Sequence, residues 1–250
     1  MTQTHITAVS YYNTLPFIYG IKHSGFLKNY TLSLDVPSEC SKKLLSGEAE
    51  IGLIPVGSFI DFPHYQIISD LCIGAEGDVK SVVMLSNSPV AMISKIFLDS
   101  DSRTSVNLAR ILASKFWKIS PAFVSNKGKD NNSLQLGEAI VLIGDKTFGL
   151  PQKYEYCYDL ASEWIKFTGK PFVFAAWIAI KPIEPEFVIN LNKALKWGID
   201  HLAEVVQNSH NVHISIPELE TYLSQNISYL LTNKKMQGMG LYLEYLNQLD

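Results

Sequence analysis

Short, apolar runs recur along this chain and alternate with longer stretches in which apolar residues return at helical spacing. Ile6–Val9, Ile51–Val56, Ser81–Leu85, Ile96–Leu98, Ala139–Ile143 and Phe172–Ile180 read as strands. Several lack polar alternation, the pattern of strands covered on both faces. Helical stretches lie between them. One begins near Asn13, a candidate N-cap, with Pro16 in its first turn; a second runs from Ser38 through Leu44 and Leu45 to Gly47. A third begins at Ser102 and carries Val106, Ala109, Ala113, Phe116 and Trp117 on one side. From Pro185 the period is helical, with two further helices expected over Pro217–Leu231 and Met236–Leu249. The expected architecture is an α/β body closed by helices, with the polar stretch Lys127–Ser133 as a surface loop.

Composition narrows the function classes. With 250 residues, 47% of them hydrophobic, the chain has material for one large domain or two ordinary lobes. The formal net charge is -3 and no basic stripe interleaves with aromatics, so a nucleic-acid partner is not expected. The most apolar stretch, Pro171–Ile180, is too short to span a bilayer, so no membrane partner is expected either. The N-terminus has no basic start followed by an apolar run, which points to a cytoplasmic protein. Cys40, Cys72 and Cys157 are widely separated and read as reduced residues with packing roles.

Four segments place hydroxyls, amides or an arginine just after a strand or at a helix start, where open α/β sheets bind ligands. They are Ser10–Thr14, Pro37–Glu39, Lys80–Ser81 beside the turn Gly74–Gly77, and Asp99–Ser105. The last combines Ser102, Thr104 and Ser105 with the fixed charge of Arg103 at a helix start, a combination that favours a carboxylate or phosphate. There the helix dipole contributes roughly 0.3–1 kcal/mol and a hydrogen bond to a charged group about 1.5–3 kcal/mol, so direct donors dominate. A purely structural role fits the same residues: Ser102 as a cap, with Arg103 paired to Asp99 or Asp101. Asn13 and Ser38 read equally as ordinary caps, and Asp145 as a turn residue or a crevice residue. His210 and His213 have a metal-ligand spacing but polar loop surroundings. Dinucleotide, nucleotide-triphosphate, zinc-hydrolase and serine-hydrolase motifs are absent.

Successive motifs carry a resemblance. Ser10–Pro16, Asp35–Cys40, Lys43–Glu48, Ile51–Val56, Ile73–Gly77 with Lys80–Val82, Leu98–Ser105 with Leu108–Leu112, Ile143–Lys146, Tyr158–Ala161 and Trp164–Trp177 are similar, in order, to those of the chorismate dehydratases of the futalosine route to menaquinone. Two positions depart from the family pattern: Lys80, where arginine is common, and Lys170, where leucine is.

The resemblance implies a two-lobed, type II periplasmic-binding-protein-like α/β fold with a ligand cleft between lobes. Lobe I would comprise residues 1–86 and 175–250, and lobe II residues 87–174. It implies elimination of water from chorismate, a dianion, to give 3-[(1-carboxyvinyl)oxy]benzoate without metal or organic cofactor. Asn13 and Ser81 would be catalytic, positioning the departing hydroxyl or the enol ether. Ser38, Arg103, Thr104, Ser105 and Asp145 would bind substrate. No histidine lies in the matching loops, and the substrate's own side-chain carboxylate is a candidate proton acceptor. Two other functions are compatible with such a fold: a solute-binding protein for a small carboxylate, and a 1,4-dihydroxy-6-naphthoate synthase.

Overall fold

The computed structural model describes residues 3–99, 102–126, 134–150, 153–209 and 212–249. The loop expected at Lys127–Ser133, together with Asp101 and His210, lies outside the described residues.

Eleven strands among the described residues form two sheets. The first takes β1 (Thr4–Val9), β2 (Tyr30–Asp35), β3 (Ile51–Pro55), β4 (Gln66–Ala75), β10 (Phe172–Ala179) and β11 (Ser228–Leu230), in the order β11-β4-β10-β3-β1-β2. The second takes β5 (Val82–Ser86), β6 (Lys95–Leu98), β7 (Ala122–Ser125), β8 (Glu138–Ile143) and β9 (Tyr156–Asp159), in the order β7-β6-β8-β5-β9. β1 pairs in parallel with β2 and β3, while β10 lies antiparallel between β3 and β4. Every residue of β3, β5, β8 and β10 is buried, which explains their unbroken apolar character.

Strand pairing draws the lobe crossings earlier than the expected 86/87 and 174/175. β5 pairs only in the second sheet, and Phe172 and Val173 pair with β4 in the first. The chain therefore crosses between β4 and β5, and again between β9 and β10. An apolar run shows that it is buried, not in which sheet, and so the crossing is invisible to pattern alone.

Helices α1 (Leu15–His23), α2 (Pro37–Ser46), α3 (Arg103–Ile111) and α4 (Leu160–Thr168) follow strands. Ser102 caps α3 and Asp159 caps α4 through their side chains, whereas Thr14 precedes α1 and Val36 precedes α2 without side-chain caps. Asn13 thus sits in a 3-10 turn, Tyr12–Thr14, and is not the cap of α1. The tail forms α5 (Pro185–Asp200), α6 (Leu202–Gln207), α7 (Ile216–Thr221) and α8 (Asn233–Leu246). The helix expected over Pro217–Leu231 ends in a π-helical turn, Tyr222–Asn226, and gives way to β11, whose pairing with β4 overrides local propensity. Cys40 and Cys72 are buried; Cys157 is exposed and does not serve the packing role expected of it. No helix among the described residues is long and apolar enough to cross a membrane.

The larger of two apolar clusters among the described residues runs through both lobes. The lobes meet closely enough to need glycine. A Cβ on Gly57, in the turn after β3, would stand 2.8 Å from the backbone N and Cα of Thr104 in α3. Both obstructing atoms are backbone, so a Gly57→Ala protein must part the lobes at this seam. Urea denaturation should show a loss of about 1–3 kcal/mol, the usual range for overpacking; an unchanged midpoint would contradict this packing.

Candidate functional site

A narrow cleft lies where strand ends and helix starts of the two lobes converge. Val9, Asn13, Pro37 and Phe174 line it from the first lobe, Ser102, Ser105 and Gly144 from the second, and Ser81 from the first crossing. The two residues expected to be catalytic, Asn13 and Ser81, and one expected to bind substrate, Ser105, thereby line one cavity. Among the described residues that line it there is no Asp, Glu, Lys, Arg or His.

Each lining side chain is set by its element. Asn13 projects from the 3-10 turn that follows β1, and its Oδ1 is buried without a hydrogen-bond partner. Ser81 is 1% exposed, and its Oγ accepts a hydrogen bond from the Tyr222 hydroxyl at 2.8 Å. Its carbonyl accepts the N–H of Gly144 at 2.8 Å, tying the crossing to the end of β8. At the start of α3 the Ser102 and Ser105 hydroxyls lie 3.1 Å apart, and Ser102 Oγ accepts the Ser105 N–H at 3.3 Å.

The structure takes the other expected residues elsewhere. Successive helical residues are turned by about 100°, so Arg103 and Thr104, between two cleft-facing serines, are rotated toward the first lobe. The Arg103 guanidinium pairs with Asp61 and its side chain is half exposed, not with Asp99 and not in the cleft. Asp99 pairs with Lys146. Thr104 Oγ1 accepts the Gly57 N–H at 2.9 Å and lies 3.5 Å from the Phe174 carbonyl, so it joins the lobes. Ser38 is exposed in the first turn of α2, and its neighbour Pro37 forms the cleft wall in its place. Lys80 has a left-handed φ of 62° and donates its backbone N–H to Asp159 at 2.7 Å. It does not line the cleft.

Asp145 stands just behind the wall. Its Oδ1 accepts the Tyr12 N–H at 3.0 Å and so links the second lobe to the first. Burial pushes its carboxyl up to about 6, against the opposing pull of the Tyr12 N–H and His213. In the same region the His213 backbone N–H donates to the Tyr12 hydroxyl at 2.8 Å.

Sequence reasoning missed Tyr11 and Tyr222. The Tyr11 ring packs on Gly144, where a Cβ would stand 3.0 Å from its Cε1; Gly144 also has a φ of 67°, which favours glycine. The signal for Tyr11 was its place beside Asn13 after β1. For Tyr222 there was none, because it arrives from the far end of the chain.

The family profile described as menaquinone biosynthesis matches residues 4–248. A chorismate dehydratase from Thermus thermophilus is 26% identical over 259 residues, covering 94% of this chain and 92% of the relative. Among solved structures, a protein from Archaeoglobus fulgidus superposes with a TM-score of 0.73 at 12% identity, covering 99% of this chain and 98% of that one. A Candida albicans gene product described as having the generic periplasmic binding protein structural fold gives 0.63 at 11%, covering 100% and 91%. The alkanesulfonate-binding protein of Xanthomonas axonopodis pv. citri, bound to MOPS, gives 0.64 at 13%, covering 99% and 92%. The fold is therefore the expected periplasmic-binding-protein-like one.

Asp145 makes a pH prediction. Its folded pKa of about 6 lies above the unfolded value of about 3.9, so its contribution is full below about pH 4 and is lost as pH rises through about 6. Thermal melting should fall more between about pH 4 and pH 7 for the parent than for Asp145→Asn, which keeps an acceptor for Tyr12. Parallel melting profiles would contradict this.

Proposed function

The chain belongs to the menaquinone-biosynthesis family, and from that premise we propose that it is a chorismate dehydratase of the futalosine pathway. On this reading it is a cytoplasmic, cofactor-independent carbon–oxygen lyase that converts chorismate to 3-[(1-carboxyvinyl)oxy]benzoate. The observation that carries the reading is the cleft itself: Asn13, Ser81, Ser102 and Ser105 face one cavity at helix starts from both lobes. A similarity to a relative named chorismate dehydratase over nearly the whole chain supports it.

The chemistry asks little of a protein base. A ring C–H bond breaks, its electron pair becomes the third ring double bond, and the neighbouring C–O bond breaks. The departing oxygen takes up the proton that the ring gave up, relayed by the substrate's own side-chain carboxylate, and leaves as water while the carboxylate is regenerated. Aromatisation supplies the driving force, so the protein's task is to orient the ring and stabilise developing charge. Ser102, Ser105 and the unpaired N–H groups of the first turn of α3 hold one carboxylate. The start of α2 adds little to this, because Pro37 has no N–H and the Glu39 and Cys40 N–H groups donate to the Val36 carbonyl at 3.0 and 3.1 Å. Ser81, already accepting from Tyr222, has its own hydroxyl hydrogen free to donate to the departing oxygen. Asn13 Oδ1 orients the substrate hydroxyl. The ring proton goes to the substrate's own side-chain carboxylate, in keeping with a cleft wall that presents no carboxylate or imidazole among its described residues.

The likeness to an alkanesulfonate-binding protein favours one second reading, a carboxylate binder without turnover. Incubation with chorismate separates the two. The dehydratase yields the aromatic product by absorbance or mass, whereas binding without product supports the second reading. Ser81→Ala and Asn13→Ala should each lower kcat by about 100-fold or more, as lost transition-state donors do. Arg103→Ala, breaking only a half-exposed ion pair, should stay within about threefold of the parent. Parent-like turnover by Ser81→Ala, or collapse of turnover in Arg103→Ala, would overturn this assignment of roles.

A further inference from the structure

Tyr222 comes from the C-terminal helices, a part of the chain outside the motifs that resemble known dehydratases, yet its hydroxyl reaches Ser81 of the cleft wall from behind. It opens the π-helical turn after α7, a local geometry that often re-aims side chains at functional sites. Its hydroxyl donates to Ser81 Oγ at 2.8 Å, and the Asn13 side chain is near enough to the phenol to favour its charged form. One buried phenol thus bonds one residue assigned to the departing hydroxyl and stands near the other.

We propose that Tyr222 is a positioning residue of the dehydratase, holding Ser81 and Asn13 in the one arrangement that leaves the Ser81 hydrogen and the Asn13 Oδ1 turned to the substrate. The proposal rests on the dehydratase reading and extends it. The ring is itself fixed: it is 1% exposed and packs edge-on against Phe148, with centroids 5.0 Å apart. Farther along the same turn, Asn226 Nδ2 donates to the carbonyl of Asp78 at 2.9 Å, anchoring the turn to the first crossing. Burial pushes the Tyr222 phenol far above its ordinary value, so it stays protonated and stays a donor. Because Ser81 accepts from Tyr222, its own hydrogen cannot point back at the phenol and is directed into the cleft. A chain of hydrogen bonds from Tyr222 through Ser81 to the departing oxygen also polarises in the useful sense, each donor sharpening the next.

The test is Tyr222→Phe, which keeps the ring and removes the hydroxyl. The expected result is a fall of about three- to tenfold in kcat, the scale of one hydrogen bond, with KM within about twofold and the melting temperature near the parent's. In the Ser81→Ala background the same change should cost less than in the parent, because the share that acts through Ser81 is already lost. A difluorotyrosine placed at 222, keeping shape and strengthening the donor, should retain parental kcat and keeps the test open if the phenylalanine protein does not fold. A crystal structure of Tyr222→Phe should show the Ser81 hydroxyl or the Asn13 amide turned from its parental position. Parental kcat in Tyr222→Phe, an equal loss in the Ser81→Ala background, or unmoved Ser81 and Asn13 side chains would overturn the proposal. A parent protein that does not turn over chorismate sinks the dehydratase reading alone, and the side-chain positions in the crystal then decide whether Tyr222 sets them.

Discussion

The two lobes touch backbone to backbone, and the cleft owes its shape to that contact. Gly57 leaves no room for a Cβ against Thr104, and Gly144 little against the Tyr11 ring. Around these seams lie the Gly57 N–H to Thr104 Oγ1, the Tyr12 N–H to Asp145, and the Tyr242 hydroxyl of α8 donating to the Thr104 carbonyl at 3.1 Å. The Gly57–Thr104 contact is between backbone atoms and does not relax by rotamer change, so it limits how closely the lobes, and with them Asn13 and Ser105, approach. The C-terminal helices reinforce the seam. α8 packs on β10 and α3, and the turn after α7 reaches the crossing between the sheets.

Such a cleft solves an electrostatic problem in an uncommon way. A dianion would ordinarily be met by arginine or lysine, yet the one arginine at a helix start is turned outward to Asp61. What faces the cavity is a set of neutral polar groups: the hydroxyls of Ser81, Ser102 and Ser105 and the amide of Asn13. Neutral donors cost less to desolvate than a buried guanidinium, and their partial charges need not reorganise during reaction. They also bind less tightly in the ground state, which suits a step whose driving force is aromatisation and whose need is orientation. The buried polar atoms behind them are held by further hydrogen bonds, so the donors are fixed before substrate arrives.

Much of this was legible in the sequence, for identifiable reasons. The most buried strands announced themselves through unbroken apolar runs, as β3, β8 and β10 show. The edge strands β2 and β7 did not, because they are half exposed and mixed in composition. The serine-rich start of α3 was readable as a ligand-facing turn, and Ser102 and Ser105 do face the cleft, but composition could not say that Arg103 and Thr104 between them are rotated away. Asn13 and Ser81 were placed by resemblance, and both line the cavity. Asp145 lies one residue beyond the wall, at Gly144, and serves the lobe contact. Tyr222 was beyond reach: long-range contacts, the pairing of β11 with β4 and the Asn226–Asp78 hydrogen bond, bring that end of the chain back to the first crossing.

The most direct test of a cleft that holds a dianion by helix starts and neutral donors is a crystal structure of the protein with 3-[(1-carboxyvinyl)oxy]benzoate. The expected density lies between the lobes, with a carboxylate within hydrogen-bond distance of Ser102 or Ser105 and the ring beside Asn13 and Ser81. Product seated outside this cavity, or held by Arg103 on the outer face, would contradict it.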